Sequence, residues 1–160
     1  MTAAIALGSN LSSIFGGREA NLREALRRMG ALGRVTAVSS FHDTEPVGYT
    51  EQPRFLNAAA LLETELPPLE LLHGLLEIER QMGRDRAAAP AKGPRVIDLD
   101  LLMYGDEILQ TPELTLPHPA LHERAFVLAP LAEIAAEMEH PALRRSVAEL
   151  LRGEIADRSL

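Results

Sequence analysis

Cysteine and tryptophan are absent from this 160-residue chain, aromatic residues make up 4% of it, and lysine occurs once, at Lys92. Without cysteine there are no disulfides, thiolate nucleophiles or cysteine-ligated zinc, which agrees with a reducing compartment. A bound metal must therefore rely on carboxylates and histidines. No run of about 18 apolar residues is present to span a membrane, and the start Met-Thr-Ala-Ala-Ile-Ala-Leu-Gly lacks the basic and apolar regions of a signal peptide. A soluble, cytoplasmic protein is expected, working as a monomer. Positive charge is in the minority: 16 basic against 23 acidic residues give a net charge of −7. A general nucleic-acid binder needs the opposite balance to displace counterions from phosphates. Neither Gly-x-x-x-x-Gly-Lys-Ser/Thr nor Gly-x-Gly-x-x-Gly occurs, so the two common glycine-rich phosphate cradles are missing. Any phosphate chemistry must be local.

The apolar share, 46%, suffices for one core, and no repeat or linker divides residues 1–160, so a single domain is expected. Residues 3–7 read as a buried strand closed by the turn Gly8-Ser9-Asn10. Leu22, Ala25, Leu26 and Met29 then recur at helical spacing, ending near Gly30 and Gly33. Strands are expected over 34–41 and 55–65, separated by a Pro/Gly segment too long for a tight turn. Pro67 and Pro68 suit a first helical turn, with Leu69, Leu72, Leu75, Leu76 and Met82 as its apolar stripe and Gly83 as its stop. Residues 96–104 form the clearest strand, and helical patterns follow over 125–138 and 143–151. The order β-α-β-β-α-β with a helical tail predicts an α+β, ferredoxin-like antiparallel sheet with helices on one face and a C-terminal helical extension.

The chemistry concentrates in Gly93-Pro94-Arg95-Val96-Ile97-Asp98-Leu99-Asp100. Strand alternation predicts Ile97, Leu99, Leu101 and Met103 on one face and Asp98 and Asp100 together on the other. Two neighbouring carboxylates repel unless a cation or an arginine lies between them. Magnesium suits such a pair, because it takes one or two protein carboxylates and completes its shell with water and phosphate oxygens. A solvated strand face is the plainer alternative. Arg80, Arg84, Arg86, Lys92 and Arg95 cluster just upstream against only Asp85, a local balance of +4 within the overall −7. Guanidinium groups beside a metal-binding pair are what a polyphosphate requires; a solvated basic loop is the alternative. On a helical wheel with Leu72 at zero, Glu79 falls at about 340°, inside the apolar stripe. It is either an internal anchor or a ligand-facing acceptor. His118 lies between two prolines, which would hold an imidazole at low entropic cost, and Arg124 follows within reach of the same anion.

Ala6-Leu7-Gly8-Ser9-Asn10-Leu11, Phe55-Leu56-Asn57-Ala58-Ala59, Ile78-Glu79-Arg80-Gln81-Met82-Gly83-Arg84, the Gly-Pro-Arg-x-x-Asp-Leu-Asp run, Leu116-Pro117-His118 and Arg124-Ala125-Phe126 occur in one order along the chain. In this the chain resembles the 6-hydroxymethyl-7,8-dihydropterin pyrophosphokinase family over nearly its whole length. The resemblance implies a ferredoxin-like fold and transfer of pyrophosphate from ATP to the pterin hydroxymethyl group, with AMP released, in folate biosynthesis. It implies ATP and the pterin as partners and two magnesium ions held by Asp98 and Asp100. Arg84 and Arg95 match positions that follow the phosphates, and a loop over 83–92 is implied to close on the bound substrates. Glu79, Leu101 through its backbone, Thr115, His118 and Arg124 match nucleotide contacts. Thr44, Val47, Phe55, Asn57 and Phe126 match the pterin pocket, where two rings can stack on the bicycle and Asn57 offers a donor and an acceptor. Ala91-Lys92 stand where family members often carry tryptophan, and no role is carried over to Glu113 or Pro119. A non-catalytic metabolite-binding module and an Asp-x-Asp nucleotide-sugar transferase are the competing classes. The first needs no carboxylate pair beside a basic cluster, and the second needs a further region for its acceptor.

Overall fold

The computed structural model describes residues 1–44, 53–83 and 95–158. In chain order the elements are β1 (Thr2–Ser9), α1 (Arg18–Met29), β2 (Arg34–Val38), β3 (His42–Thr44), β4 (Phe55–Glu63), α2 (Pro68–Gln81), β5 (Asp98–Tyr104), β6 (Leu109–Gln110) and β7 (Thr115–Leu116). A 3₁₀ turn at Leu121–Glu123, α3 (Ala125–Ala135), β8 (Glu139–His140), β9 (Arg145–Ser146) and α4 (Val147–Arg158) complete the chain. The main sheet runs β2-β4-β1-β5 with β3 also on β4, and all of its pairings are antiparallel. This is the α+β, ferredoxin-like arrangement expected from the element order.

The strand expected over 34–41 is divided. β2 pairs with the C-terminal half of β4 and β3 with its start; between them Ser39 bonds Ala59 through both its backbone N–H and its Oγ. Pro68 opens α2 without requiring an N–H, and Gly83 after it takes φ +100°, a left-handed conformation that suits a residue without Cβ. The buried face of α2 carries Leu71, Leu75 and Ile78, continued by Met82 just after the helix, whereas Leu69 is exposed and Leu72 only partly covered, so the stripe is rotated from the expected one. Each fully buried aliphatic side chain contributes about 1.5–3 kcal/mol.

Helices α1 and α2 cover one face of the sheet, against Ala3, Ile5, Leu7, Ala58, Ala60, Leu62, Leu99 and Leu101. The C-terminal extension folds onto the other face, where Leu128 and Leu131 of α3 and Val147 and Leu150 of α4 share a core with Ala4 and Ala59. Small side chains on β1 and β4 let α3 pack closely. The expected alternation along β5 fails at Met103. A register irregularity against β1 pairs Ile5 with Leu101 but Ala4 with Met103, leaving Leu102 as the extra residue, so Met103 joins the second core instead of lining up with Leu101.

Candidate active site

The end of β1 is the axis of the site. Gly8 pairs with Asn57 of β4 on one side and with Asp98 of β5 on the other, and Ala6 pairs with Asp100. Directly opposed residues share a face, so Asn57, Asp98 and Asp100 all project toward the face that carries α3. A Cβ on Gly8 would meet Asn57 Oδ1 at 2.9 Å. That glycine is therefore what lets the Asn57 amide lie across the strand. The C-terminal extension, which the element pattern presents as an appendage, is one wall of the site.

On the β4 side, Thr44 is in register with Phe55, and the Asn57 amide donates to Thr44 Oγ1. Arg18 and Arg54 both bond Asp43, the residue before Thr44, and Arg18 also donates to the Arg54 carbonyl, so the start of β4 and the short β3 are tied to α1. The two guanidinium groups hold the Asp43 carboxyl down at about 2. At the start of α3, the Arg124 guanidinium lies 5.8 Å from the centroid of the Phe126 ring, which orients both side chains.

On the β5 side, the Arg95 guanidinium donates to Asp98 Oδ2 at 3.1 Å in a largely covered pair. An arginine thus relieves part of the repulsion between the two carboxylates. Among the described residues no group of three or more potential metal ligands is gathered. Asp98 and Asp100 alone, two residues apart on one strand face, fit a magnesium ion whose other positions go to water and phosphate, and do not form an all-protein cage. Arg80 instead faces solvent and pairs with Glu77, which raises the guanidinium pKa and removes it from the basic cluster. Val47 and Arg84, with Asp85, Arg86, Lys92 and the expected loop over 83–92 apart from Gly83, lie outside the described residues.

Glu79, 1% exposed, accepts a 2.7 Å hydrogen bond from the Leu99 N–H. β5 is an edge strand of the main sheet, and this carboxylate from α2 secures it between its two aspartates. Leu101 is buried in the first core, and Thr115 pairs with Gln110. His118 donates its backbone N–H to the Leu102 carbonyl, which fixes it beside β5, and its Nδ1 accepts the Ala120 N–H at 3.2 Å. Burial first, and Arg124 second, hold the imidazole below the ordinary histidine value, while Asp98 pulls the other way. A neutral ring with Nδ1 accepting carries its proton on Nε2, a donor for an anion. His73 pairs with Glu113 at the surface.

Sequence reasoning passed over Asn10 and Asn21. Asn21 of α1 is fully buried; its amide donates to Ser9 Oγ and to the Leu11 carbonyl, and its oxygen accepts from Ser13 Oγ. It shapes the turn that follows β1. The available signal was Gly8-Ser9-Asn10 itself, three small or polar residues at the end of a buried strand.

The family model for 7,8-dihydro-6-hydroxymethylpterin-pyrophosphokinase matches residues 4–136. The chain is 47% identical over 142 residues to the 2-amino-4-hydroxy-6-hydroxymethyldihydropteridine pyrophosphokinase of Bacillus subtilis (strain 168), covering 88% of this chain and 81% of that protein. It is 44% identical over 143 residues to the protein of the same name from Haemophilus influenzae, covering 88% and 86%. Among solved structures, Plasmodium falciparum HPPK-DHPS with pteroate superposes with a TM-score of 0.74 at 14% identity, over 97% of this chain and 44% of that one. That likeness speaks for the fold, and the chain spans less than half of the larger protein. On its sequence, over most of its length, the chain belongs to the 7,8-dihydro-6-hydroxymethylpterin-pyrophosphokinase family.

Proposed function

We propose that the chain transfers the β,γ-pyrophosphate of ATP to the hydroxymethyl oxygen of 6-hydroxymethyl-7,8-dihydropterin, releasing AMP, as a step of folate biosynthesis. The observation that carries this reading is the register at Gly8, which sets a hydrogen-bonding amide and an acidic pair on either side of one small residue and on one face. On the β4 side, Asn57, Thr44, Phe55 and Phe126, with Val47, take the pterin: the amide reads its polar edge and the rings stack on its faces. On the β5 side, Leu101 through its backbone, Thr115, His118 and Arg124 take the nucleotide, with Glu79 holding the strand edge that they line. The neutral His118 donates to a phosphate oxygen from Nε2, and Arg95 and Arg84 follow the charge as the β-phosphorus changes partners.

Asp98 and Asp100 would hold magnesium, two ions in this reading, which when bound neutralises the triphosphate and polarises its bridging oxygens. Two neighbouring carboxylates on one strand face, one of them beside the Arg95 guanidinium, support that choice. One pyrophosphokinase domain over 1–160 belongs to the same reading, supported by the two cores sharing β1 and β4. So does a monomer in the cytoplasm without nucleic-acid partners. The −7 charge supports the last point, and among the described residues no helix is long and apolar enough to cross a membrane.

The test supplies ATP, magnesium and the reduced hydroxymethylpterin and follows the products by chromatography. AMP and a diphosphorylated pterin are expected; ADP would overturn attack at the β-phosphorus, and no turnover by folded protein would overturn the activity. Asp98→Ala and Asp100→Ala should each lower turnover by about a hundredfold or more while the circular dichroism spectrum is kept. Full activity in both variants would remove the metal pair from the mechanism.

A further inference from the structure

Asn10 lies just beyond β1, 2% exposed, and its side-chain amide has its two ends in two different parts of the site. Its Oδ1 accepts the Arg95 backbone N–H at 2.6 Å, and its own backbone N–H returns a bond to the Arg95 carbonyl at 3.0 Å. The Arg95 peptide is thus held from both sides, much as a strand neighbour would hold it, and the Leu11 N–H adds a third bond to the same carbonyl at 3.2 Å. Arg95 in turn reaches Asp98. The Asn10 Nδ2 points the other way and donates to the Pro53 carbonyl at 3.0 Å, two residues before Phe55 and four before Asn57. Asn21 holds the turn on which Asn10 stands.

We infer that Asn10 is a positioning residue that couples the two halves of the site: its oxygen sets Arg95 and through it Asp98 on the phosphate side, and its nitrogen sets the chain leading into the pterin side. This rests on the pyrophosphokinase reading above. Each bond has a separable consequence, because a buried bond to a backbone group is costly to lose and the lost partner differs at the two ends.

Asn10→Asp is nearly isosteric. It keeps an oxygen acceptor for the Arg95 N–H but turns the donor that faces the Pro53 carbonyl into a second oxygen. Asn10→Ala removes both bonds. The experiment measures kcat and both KM values for wild type and the two variants, with urea denaturation of each. Asn10→Asp should raise the pterin KM roughly fivefold or more, the equivalent of one hydrogen bond, and leave the ATP KM within about twofold. Asn10→Ala should raise both KM values and lower kcat about tenfold or more. A residue that merely stabilised the fold would lower the denaturation midpoint without separating the two substrates. Wild-type kinetics in folded Asn10→Ala, or an Asn10→Asp variant that changes both KM values equally, would overturn the inference while wild-type AMP production still upholds the activity. If Asn10→Ala does not fold, the Asn10→Asp comparison decides alone. No AMP from the wild-type chain would overturn both.

Discussion

In the proposed site the position of the Asn57 amide turns on one hydrogen atom at Gly8. Nothing in the backbone requires glycine there, since Gly8 does not take a left-handed φ; the requirement comes from Asn57, whose Oδ1 would lie 2.9 Å from any added Cβ. Gly8→Ala should therefore displace the amide and raise the pterin KM roughly tenfold, in line with the cost of overpacking a close contact, while the ATP KM changes little. Steady-state kinetics with each substrate varied in turn checks this. An equal change in both constants would remove Asn57 from the pterin side. Glu79 shows the limits of a helical wheel at this scale. Its angle on the helix predicted burial, but only the position of the β5 edge makes the Leu99 N–H its partner.

At the scale of elements, the helical tail does more than cover a sheet, because Arg124 and Phe126 at the start of α3, with the loop that bears His118, belong to the proposed site. Its far end depends on His140, which is 5% exposed and whose Nδ1 accepts the N–H groups of Ala142 and Leu143. Protonation at Nδ1 breaks both bonds. Burial and the neighbouring His122, whose ring packs edge-on at 6.2 Å, lower the His140 pKa from 6.5. A lowered folded value means that the unfolded chain binds the proton more readily, so this contribution to stability is complete above pH 6.5 and declines as the pH falls below it. The urea midpoint should drop between neutral pH and pH values below 6.5, and His140→Asn, whose amide oxygen accepts without titrating, should flatten that slope. His118 has a pKa lowered in the same sense and would keep part of it. An unchanged slope in His140→Asn would show that other groups carry the acid sensitivity.

At the scale of the whole molecule, β1 and β4 supply side chains to both cores: Ile5 and Leu62 to the layer under α1 and α2, Ala4 and Ala59 to the layer under α3 and α4. Neither layer can be lost without exposing the back of the other's strands. Leu75→Ala in the first layer and Leu131→Ala in the second should each cost about 2–5 kcal/mol, and each variant should unfold in one transition seen alike by circular dichroism and tyrosine fluorescence. Two separated transitions in Leu131→Ala would mean that the C-terminal helices are an independent unit. The basic cluster also changes meaning at this scale. Charge along the chain placed Arg80 with Arg95, yet Arg80 is neutralised by Glu77 one turn away at the surface, whereas Arg95 is turned inward to Asp98.

Local periodicity and motif order by themselves determined the order of the main strands and helices, the antiparallel α+β sheet, the family, and the placing of Asp98 with Asp100 on one strand face, because each depends on spacing within one stretch of chain. Tertiary structure alone decided what depends on register between distant stretches. Gly8 lies between Asn57 and Asp98, Asn10 reaches both Pro53 and Arg95, and the irregularity at Leu102 turns Met103 away from Leu101. It also decided that the helical tail covers the face of the proposed site, since which face of a sheet a later helix covers is settled by the shape of both cores and not by the helix's own pattern. Side-chain alternation is a local property of a strand, but the choice of opposite partner is made across the sheet, where residues far apart in the sequence meet.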